Sequence, residues 1–200
     1  DIYNTKFEIN IVERTGEILN NNKIFNKEEA EKTIEAKDIN LLMYSSVIEI
    51  TDKEILIANK SNQVDNFPYF AIIWTAGIKP NLPEFAQEIK KINHRILTND
   101  YLQLPSYPNV FALGDISITN GKHNLPVTAQ VAMQQGAHVA LNLNLLLKKE
   151  NLIPFKFKDN GEMISLGIGE ASISGLGLTL SGKFAYDIRR IIYASKMPKI

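Results

Sequence analysis

A chain of 200 residues with 44% hydrophobic and 22% charged residues has an ordinary globular composition and is long enough for one domain and part of another. Basic and acidic residues balance at 22 each, which argues against a nucleic-acid partner. The absence of cysteine excludes a disulfide framework, a thiolate metal site and a redox-active dithiol within these residues. No apolar run reaches the ~20 residues that a membrane-spanning helix needs.

The first sixty residues predict four strands and one helix. Apolar residues alternate with polar ones from Phe7 onward and predict a strand that ends on Glu13. Asn26 and Glu29 have the spacing of a capping box, which predicts a helix over about residues 27–37. Short β-rich runs predict three further strands, at 39–43, 47–50 and 54–58.

Three apolar runs predict strands in the middle of the chain. The run 70–75 is nearly continuous, as expected for a strand buried on both faces, and Ala76-Gly77 ends it. The runs 96–104 and 110–113 are separated by a proline-containing turn, and the second ends in Gly114-Asp115.

The remainder predicts a loop, two helices and a small region of β structure. Polar residues 116–126 predict the loop, and a proline-free stretch rich in alanine, leucine and glutamine predicts a helix from Thr128 to about Lys149. Glycine-rich β structure follows Pro154, and then an amphipathic helix over 183–197. This alternation predicts an α/β architecture with two nucleotide-binding halves, neither of which has an intact first βα turn.

Two acidic residues at strand ends are candidate cofactor ligands. An acid at the end of the second strand of a dinucleotide-binding unit accepts hydrogen bonds from the adenosine ribose, so Glu13 is one candidate, although a solvated turn residue is the commoner interpretation. Arg14 beside it leaves the choice between NADH and NADPH open. Gly114 permits close approach of a ligand to the backbone, and Asp115 adds a carboxylate; the alternative is a turn capped by the aspartate.

The start of the helix at Thr128 is the third candidate. Thr128 as N-cap would direct the amides of Ala129, Gln130 and Val131 outward, where partial positive charge suits the electron-rich edge of a reduced flavin. Gln130 and Gln134 lie one turn apart and would hydrogen-bond a quinone carbonyl or the flavin edge. The alternative is a polar helix face with no ligand.

Other patterns predict no site. Gly167-Ile168-Gly169 and Gly175-Leu176-Gly177 lack a third glycine and a following helix, so they predict β-turns. The three histidines have no ligand spacing, and we predict no metal site.

Four segments, in order and in register, resemble the type II NAD(P)H dehydrogenases, flavoenzymes that reduce membrane quinones. They are IVE at 11–13, IWTAGIKP at 73–80, VFALGD at 110–115 and TAQVAMQQG at 128–136. The tail, with GEMISLG at 161–167 and Arg189-Arg190, resembles the demethylphylloquinone (demethylnaphthoquinone) reductase branch found in oxygenic phototrophs.

The resemblance implies part of a Rossmann-like flavoprotein with two dinucleotide-binding domains. Residues 1–94 would belong to the NAD(P)H-binding domain, 95–152 to the FAD-binding domain and 153–200 to an incomplete C-terminal region that faces quinone and membrane. Both glycine-rich phosphate loops are then expected upstream, so these residues alone are expected neither to hold FAD nor to turn over.

The resemblance also implies a reaction: hydride passes from NAD(P)H to FAD, and two electrons pass to a membrane naphthoquinone or plastoquinone, with demethylphylloquinone reduction in phylloquinone synthesis as the specific case. The implied ligands are Glu13, Ala76 and Gly77 for NAD(P)H; Gly114, Asp115, Thr128, Ala129, Gln130 and Val131 for FAD; and Gln130 and Gln134 for the quinone.

The C-terminal helix predicts a peripheral membrane protein, on the cytoplasmic or stromal face of a plasma or thylakoid membrane. Residues 183–200 carry an apolar stripe and five basic residues against one acidic residue, although a helix packed on its domain fits as well.

A homodimer is compatible with the family. Disulfide reductases need a histidine after His138, and sulfide:quinone reductases need a cysteine, so both are disfavoured. A non-catalytic scaffold that keeps only the fold remains the alternative.

Overall fold

The computed structural model describes residues 7–119 and 125–197, which form two compact units. Within the described residues, the first unit comprises 7–73 and 160–197, and the second comprises 74–119 and 125–159. Each unit combines helices with strands, which confirms the α/β prediction. The breaks between units differ from the predicted domain limits at 94 and 152, and the assignment of those segments to nucleotide-binding domains stays a prediction.

A parallel pair of strands opens the first unit. β1 (Asn10–Val12) and β2 (Asn40–Leu42) pair in parallel and are joined through α1 (Ile24–Ala36), as a crossover connection requires. β1 ends at Val12, one residue before the predicted end at Glu13.

The start of α1 corrects the predicted capping box. The helix begins at Ile24 with Lys23 as N-cap, so Asn26 lies inside the helix. Instead, the carboxylate of Glu162 accepts hydrogen bonds from the Lys23 amide (2.5 Å) and from Asn26 Nδ2 (2.7 Å). Asn26 is fully buried and also accepts a hydrogen bond from Ser172 Oγ. A negative group is favourable at a helix N-terminus, and here it comes from a strand far away in the sequence, where no local pattern reveals it.

Three antiparallel strands follow in the first unit: β3 (Ser46–Ile50), β4 (Glu54–Ala58) and β5 (Val64–Pro68). The first two were predicted, whereas β5 is too polar to show the alternation of a strand.

The predicted buried strand at 70–75 is wrong for this structure. These residues form no strand, and the side chains of Phe70 and Ile73 are 90% and 88% exposed. A strand buried on both faces needs parallel neighbours, and the sheet formed by β1 and β2 has only those two strands within residues 7–119 and 125–197.

The end of the chain completes the first unit with an antiparallel sheet and a helix. β11 (Glu162–Gly167), β12 (Glu170–Gly175) and β13 (Leu178–Ser181) are joined by turns at 168–169 and 176–177, which confirms the prediction that these glycines serve β-turns. α3 (Gly182–Ser195) packs on β12, with Ala171 and Ala185 fully buried, and confirms the predicted C-terminal helix.

The described part of the second unit contains five short strands. β6 (Lys91–Ile92), β7 (Arg95–Thr98) and β10 (Ser117–Thr119) form one sheet in which β7 and β10 are parallel. β8 (Gln103–Leu104) and β9 (Tyr107–Phe111) form an antiparallel hairpin.

The continuous strand predicted at 96–104 is therefore divided. The Asn99 side chain accepts hydrogen bonds from the Tyr101 and Gln103 amides, and Leu102 adopts a φ of +66°, so the chain turns there. The loop predicted at 116–126 is also partly wrong, because 117–119 form β10; residues 120–124 lie outside the described part. α2 (Ala129–Leu147) confirms the predicted long helix.

Candidate functional site

Gly114 begins a 3₁₀ turn, Gly114–Ile116, that lies against α2. Its φ is +70°, and a Cβ added there would lie 3.4 Å from the Cβ of Ala132. The Gly114 amide donates a hydrogen bond to Gln135 Oε1 (2.6 Å), and its carbonyl accepts one from Ser117 Oγ (3.2 Å). The turn therefore favours a glycine and is held on both sides by side chains.

Asp115 follows on this turn and is exposed at the edge of an open cleft. No residue in 7–119 or 125–197 donates a hydrogen bond or forms an ion pair with its carboxylate. The cleft is also lined by Arg95, Thr128, Val131 and Gln135. It thus combines one unshielded carboxylate with a glycine backbone and the start of a helix.

The helix start has the predicted N-cap, but the cap uses the Val131 amide that was expected to face a ligand. Thr128 is the N-cap of α2, and its Oγ1 accepts a hydrogen bond from the Val131 amide (3.3 Å). Ala129 is exposed and Gln130 is half-buried. Because a helix N-terminus carries partial positive charge, this end of α2 offers an electropositive edge beside the Asp115 carboxylate. The ligand roles of these residues stay predictions.

Gln134 faces a different segment. Its Nε2 donates to the Lys158 carbonyl (2.8 Å), and its Oε1 accepts from the Lys158 amide (3.0 Å). Two turns further along α2, Asn142 pairs in the same two-way manner with Ile153, and His138 Nε2 lies 2.8 Å from the Ile153 carbonyl. Three side chains spaced by four residues thus bind the extended segment 153–158, and Gln134 is not among the residues that line the Asp115 cleft.

Gln135 is the residue that sequence reasoning missed in this region. It is only 3% exposed, although it is a polar residue next to Gln134. The signal was its helical spacing, because Val131, Gln135, Val139 and Asn142 are the buried positions of α2. A glutamine on the buried face of a helix needs a partner, and the partner is Gly114.

Glu13 is half-buried at the end of β1 and is held by its own loop. Both the amide of Thr15 (2.8 Å) and its Oγ1 (2.7 Å) donate to Glu13 Oε1. The backbone hydrogen bond from Thr15, then its hydroxyl, and then the charge of Arg14 lower the Glu13 pKa below its ordinary value of 4.5. The carboxylate is therefore ionised at neutral pH, and Thr15 leaves Oε2 for another donor.

The loop after Glu13 also contains a close contact that sequence reasoning missed. A Cβ at Gly16 would lie 2.0 Å from the Tyr44 hydroxyl oxygen, so this ring occupies the space of any larger side chain. The Tyr44 amide hydrogen-bonds the Thr15 carbonyl (3.0 Å). Gly16 and Tyr44 therefore fix the loop that orients Glu13.

Ala76 and Gly77 are exposed near the start of the second unit. Gly77 has a φ of +87°, its amide donates to the Thr75 carbonyl (2.7 Å), and no heavy atom lies within 4 Å of an added Cβ. The backbone here is open to a ligand, and its role toward NAD(P)H stays a prediction.

Two features are absent from residues 7–119 and 125–197. Nowhere in these ranges do three or more histidine, aspartate or glutamate side chains gather as a metal site would require. None of the described helices combines the length and apolar character needed to cross a bilayer.

Comparison with known proteins identifies relatives of this chain. Residues 3–136 match the family model described as pyridine nucleotide-disulphide oxidoreductase. The chain is 33% identical over 194 residues to demethylphylloquinone reductase NdbB of Synechocystis sp., covering 95% of this chain and 48% of that protein. It is 34% identical over 133 residues to the type II NADH:quinone oxidoreductase of Staphylococcus aureus, covering 64% of this chain and 33% of that protein. The chain thus spans about half the length of the first relative and a third of the second.

Solved structures show the same fold. NDH2 from Plasmodium falciparum in complex with NADH superposes with a TM-score of 0.83 at 15% identity, over 96% of this chain and 55% of that one. The sulfide:quinone oxidoreductase of Aquifex aeolicus gives 0.73 at 14% identity, over 94% and 48%. These findings confirm the partial Rossmann-like fold and the resemblance to type II dehydrogenases. The chain belongs to the pyridine nucleotide-disulphide oxidoreductase family.

Proposed function

We propose that the protein containing these residues is an FAD-dependent NAD(P)H:quinone oxidoreductase. The observation that carries this proposal is the meeting of the Gly114–Asp115 turn and the Thr128-capped start of α2 in one cleft. The relatives named as quinone oxidoreductases support the acceptor class. FAD would supply the two-electron chemistry that joins a hydride donor to a quinone.

The residues of the cleft fit a flavin dinucleotide. The Asp115 carboxylate, which lacks a partner among the described residues, can accept hydrogen bonds from the hydroxyls of the ribityl chain. Gly114 presents no side chain to a ligand that approaches its backbone. The N-terminal turn of α2, at Ala129 and Gln130, would stabilise negative charge on the pyrimidine edge of the ring. The segments around 95–152 would then serve the FAD-binding domain.

Glu13 is proposed to hold the adenosine ribose of NAD(P)H. Its ionised carboxylate is fixed through Oε1 by Thr15, so Oε2 can accept from a ribose hydroxyl. Arg14 is exposed beside it and would meet a 2′-phosphate if NADPH is the donor. Ala76 and Gly77 would provide open backbone for the same cofactor.

The specific acceptor proposed is a membrane naphthoquinone such as demethylphylloquinone, as in the name of the Synechocystis relative. Gln130 and Gln134 would border its pocket. Because both polar ends of Gln134 bind Lys158, this residue would act together with segment 153–158. Gln134→Leu should then raise the quinone KM and leave the rate of flavin reduction by NAD(P)H unchanged in stopped flow. The matched control is Asn142→Leu, which releases the same segment at Ile153. An equal rise of the quinone KM in both variants would mean that the segment, and not Gln134 itself, is responsible.

The outer face of α3 is proposed to bind an anionic membrane surface. Phe184 and Ile191 lie two turns apart and are 67% and 69% exposed, with the basic side chains of Lys183 and Arg190 nearby on the helix. Ile188 and Ile192 are partly buried, so only part of the predicted apolar stripe faces outward. Replacing both Phe184 and Ile191 by serine should reduce sedimentation with anionic liposomes. Ile48→Ser, at an exposed residue of β3, is the control.

The activity itself is tested on the full-length protein. Purified with bound flavin, it should lose its visible flavin absorbance on anaerobic mixing with NADH or NADPH and regain it when a naphthoquinone is added. Absence of flavin would favour the scaffold alternative. Flavin that is reduced by NAD(P)H but reoxidised only by a disulfide would place the protein elsewhere in its family.

A further inference from the structure

We propose that Gln135 is a positioning residue of the cleft: its side-chain oxygen holds the Gly114–Asp115 turn in the orientation that binds flavin. The inference rests on the flavin assignment proposed above and adds to it a residue that need not touch the cofactor.

Hydrogen bonds restrain the peptide groups on both sides of Gly114. Gln135 Oε1 accepts from the Gly114 amide at 2.6 Å, and Ser117 Oγ donates to the Gly114 carbonyl. Glycine is the residue with the widest choice of backbone conformations, so a turn centred on it stays ordered only when something outside restrains it. Asp115 is the next residue, so the direction of its carboxylate depends on both restrained peptide planes: the Leu113–Gly114 plane, held by Gln135, and the Gly114–Asp115 plane, held by Ser117.

Gln135 also links the two ligand-binding parts of the cleft. It lies seven residues after Thr128, two turns along the same face of α2, and both residues line the cleft. Its hydrogen bond therefore sets the distance between the Asp115 carboxylate and the positive start of the helix. Because the Gly114 amide is already occupied, Asp115 remains as the group that this turn offers to a ligand.

The side chain is suited to this role by its length and its burial. With 3% exposure the Gln135 side chain is shielded from solvent, so its oxygen is held for the Gly114 amide rather than for water. Asparagine would keep the amide but withdraw the oxygen by one methylene. Leucine would keep the approximate volume and remove the acceptor. Both variants should release the turn while the helix persists.

The test uses the full-length protein in wild-type form and as Gln135→Leu, Gln135→Asn and Asn142→Leu. Asn142 is the matched control, because it is a fully buried amide on the same helix that binds Ile153 instead. We expect the dissociation constant for FAD to rise about tenfold in both Gln135 variants, the effect of losing one good hydrogen bond, and to stay near wild type in Asn142→Leu.

Two spectroscopic signals separate positioning from general loss of stability. The ¹⁵N–¹H resonance of Gly114, assigned by its disappearance in Gly114→Ala, should move upfield in both Gln135 variants and not in Asn142→Leu. At saturating FAD, the visible circular dichroism of the bound flavin should change in the Gln135 variants only. If Gln135→Leu does not fold, Gln135→Asn carries the same expectations.

Wild-type affinity for FAD in a folded Gln135→Leu or Gln135→Asn protein would overturn the proposal. Equal weakening by Asn142→Leu would also overturn it, since the effect would then be one of stability. A wild-type protein that binds no FAD would remove the flavin assignment and this inference together. A protein that binds FAD but does not reduce quinone would remove the proposed function and leave the role of Gln135 intact.

Discussion

Glu13 and Asp115 both follow strands, and the two units hold them in opposite ways. The Glu13 carboxylate is bound directly by Thr15, two residues further along the chain. The Asp115 carboxylate has no such partner in the described ranges, but its turn is bound by Gln135, 21 residues away. A carboxylate can thus be oriented through its own oxygens or through the backbone beneath it. The second way leaves both oxygens to the ligand, which suits a tightly held cofactor.

Side chains that bind a distant part of the chain should contribute more to stability than side chains that bind their own loop. The largest loss of stability is therefore expected on replacing Glu162. Its carboxylate binds Asn22, Lys23 and Asn26 at the start of α1, about 140 residues earlier in the chain. Glu162→Ala should lower the free energy of unfolding by about 2–3 kcal/mol, because hydrogen bonds to a charged group are lost and a buried asparagine keeps only one partner. Urea unfolding measures the change.

The control for this variant is Glu49→Ala. Glu49 is an exposed carboxylate on β3, in the same unit, with no hydrogen bond to a described residue, and its removal should change stability little. Equal losses in the two variants would show that the distant contact of Glu162 adds nothing beyond its charge.

Gly114→Ala should have the next largest effect. A non-glycine residue at a φ of +70° costs about 1–2 kcal/mol, and the new methyl group would lie 3.4 Å from Ala132 Cβ. Gly136→Ala, inside α2 with open space around the added Cβ, should instead stabilise the helix by up to ~1 kcal/mol. Thermal unfolding of both variants checks the opposite signs. A stabilising Gly114→Ala would mean that the turn is free to rearrange.

The smallest change in stability is expected for Thr15→Val, which alters a contact within the loop that follows Glu13. This change keeps the backbone hydrogen bond to Glu13 and removes the hydroxyl, so the Glu13 pKa should rise part of the way toward its ordinary value. A lowered pKa stabilises the folded state above the unfolded pKa, and that stability is lost as pH falls through the folded pKa. The two proteins should therefore differ most near neutral pH and converge in acid. NMR titration of the Glu13 carboxyl carbon measures the shift, and an unchanged pKa would contradict the role of the hydroxyl.

The sequence predicted the elements whose signals are local. The end of β1 next to Glu13, the cap at Thr128 and the glycine turns of the last sheet all follow from a few adjacent residues. The predictions were wrong where the partner of a residue lies far along the chain. Asn26 has the spacing of a helix cap, but Glu162 takes that role and moves the helix start to Ile24.

The candidate site shows the same division. The positions of Gly114, Asp115 and Thr128 could be predicted because a glycine-aspartate pair after an apolar run and a threonine before a helix are local signals of a turn and of a helix start. The different surroundings of Gln134 and Gln135 could not, because neighbours on a helix face directions about 100° apart and only the fold decides which of them meets a partner. The apolar run 70–75 was misjudged because burial of a strand depends on neighbouring strands.

The most direct test of the two carboxylates measures the binding of both cofactors to a variant of each carboxylate. Dissociation constants for FAD and for NAD(P)H are measured on the full-length protein as wild type, Asp115→Ala and Glu13→Ala. Asp115→Ala should weaken FAD about tenfold or more, as expected for a lost charged acceptor, and leave NAD(P)H binding to the flavin-saturated protein unchanged. Glu13→Ala should weaken the binding of NAD(P)H and leave the binding of FAD unchanged. The reverse pattern, or loss of both ligands in either variant, would contradict the assignment of Asp115 to the flavin and Glu13 to the nicotinamide cofactor.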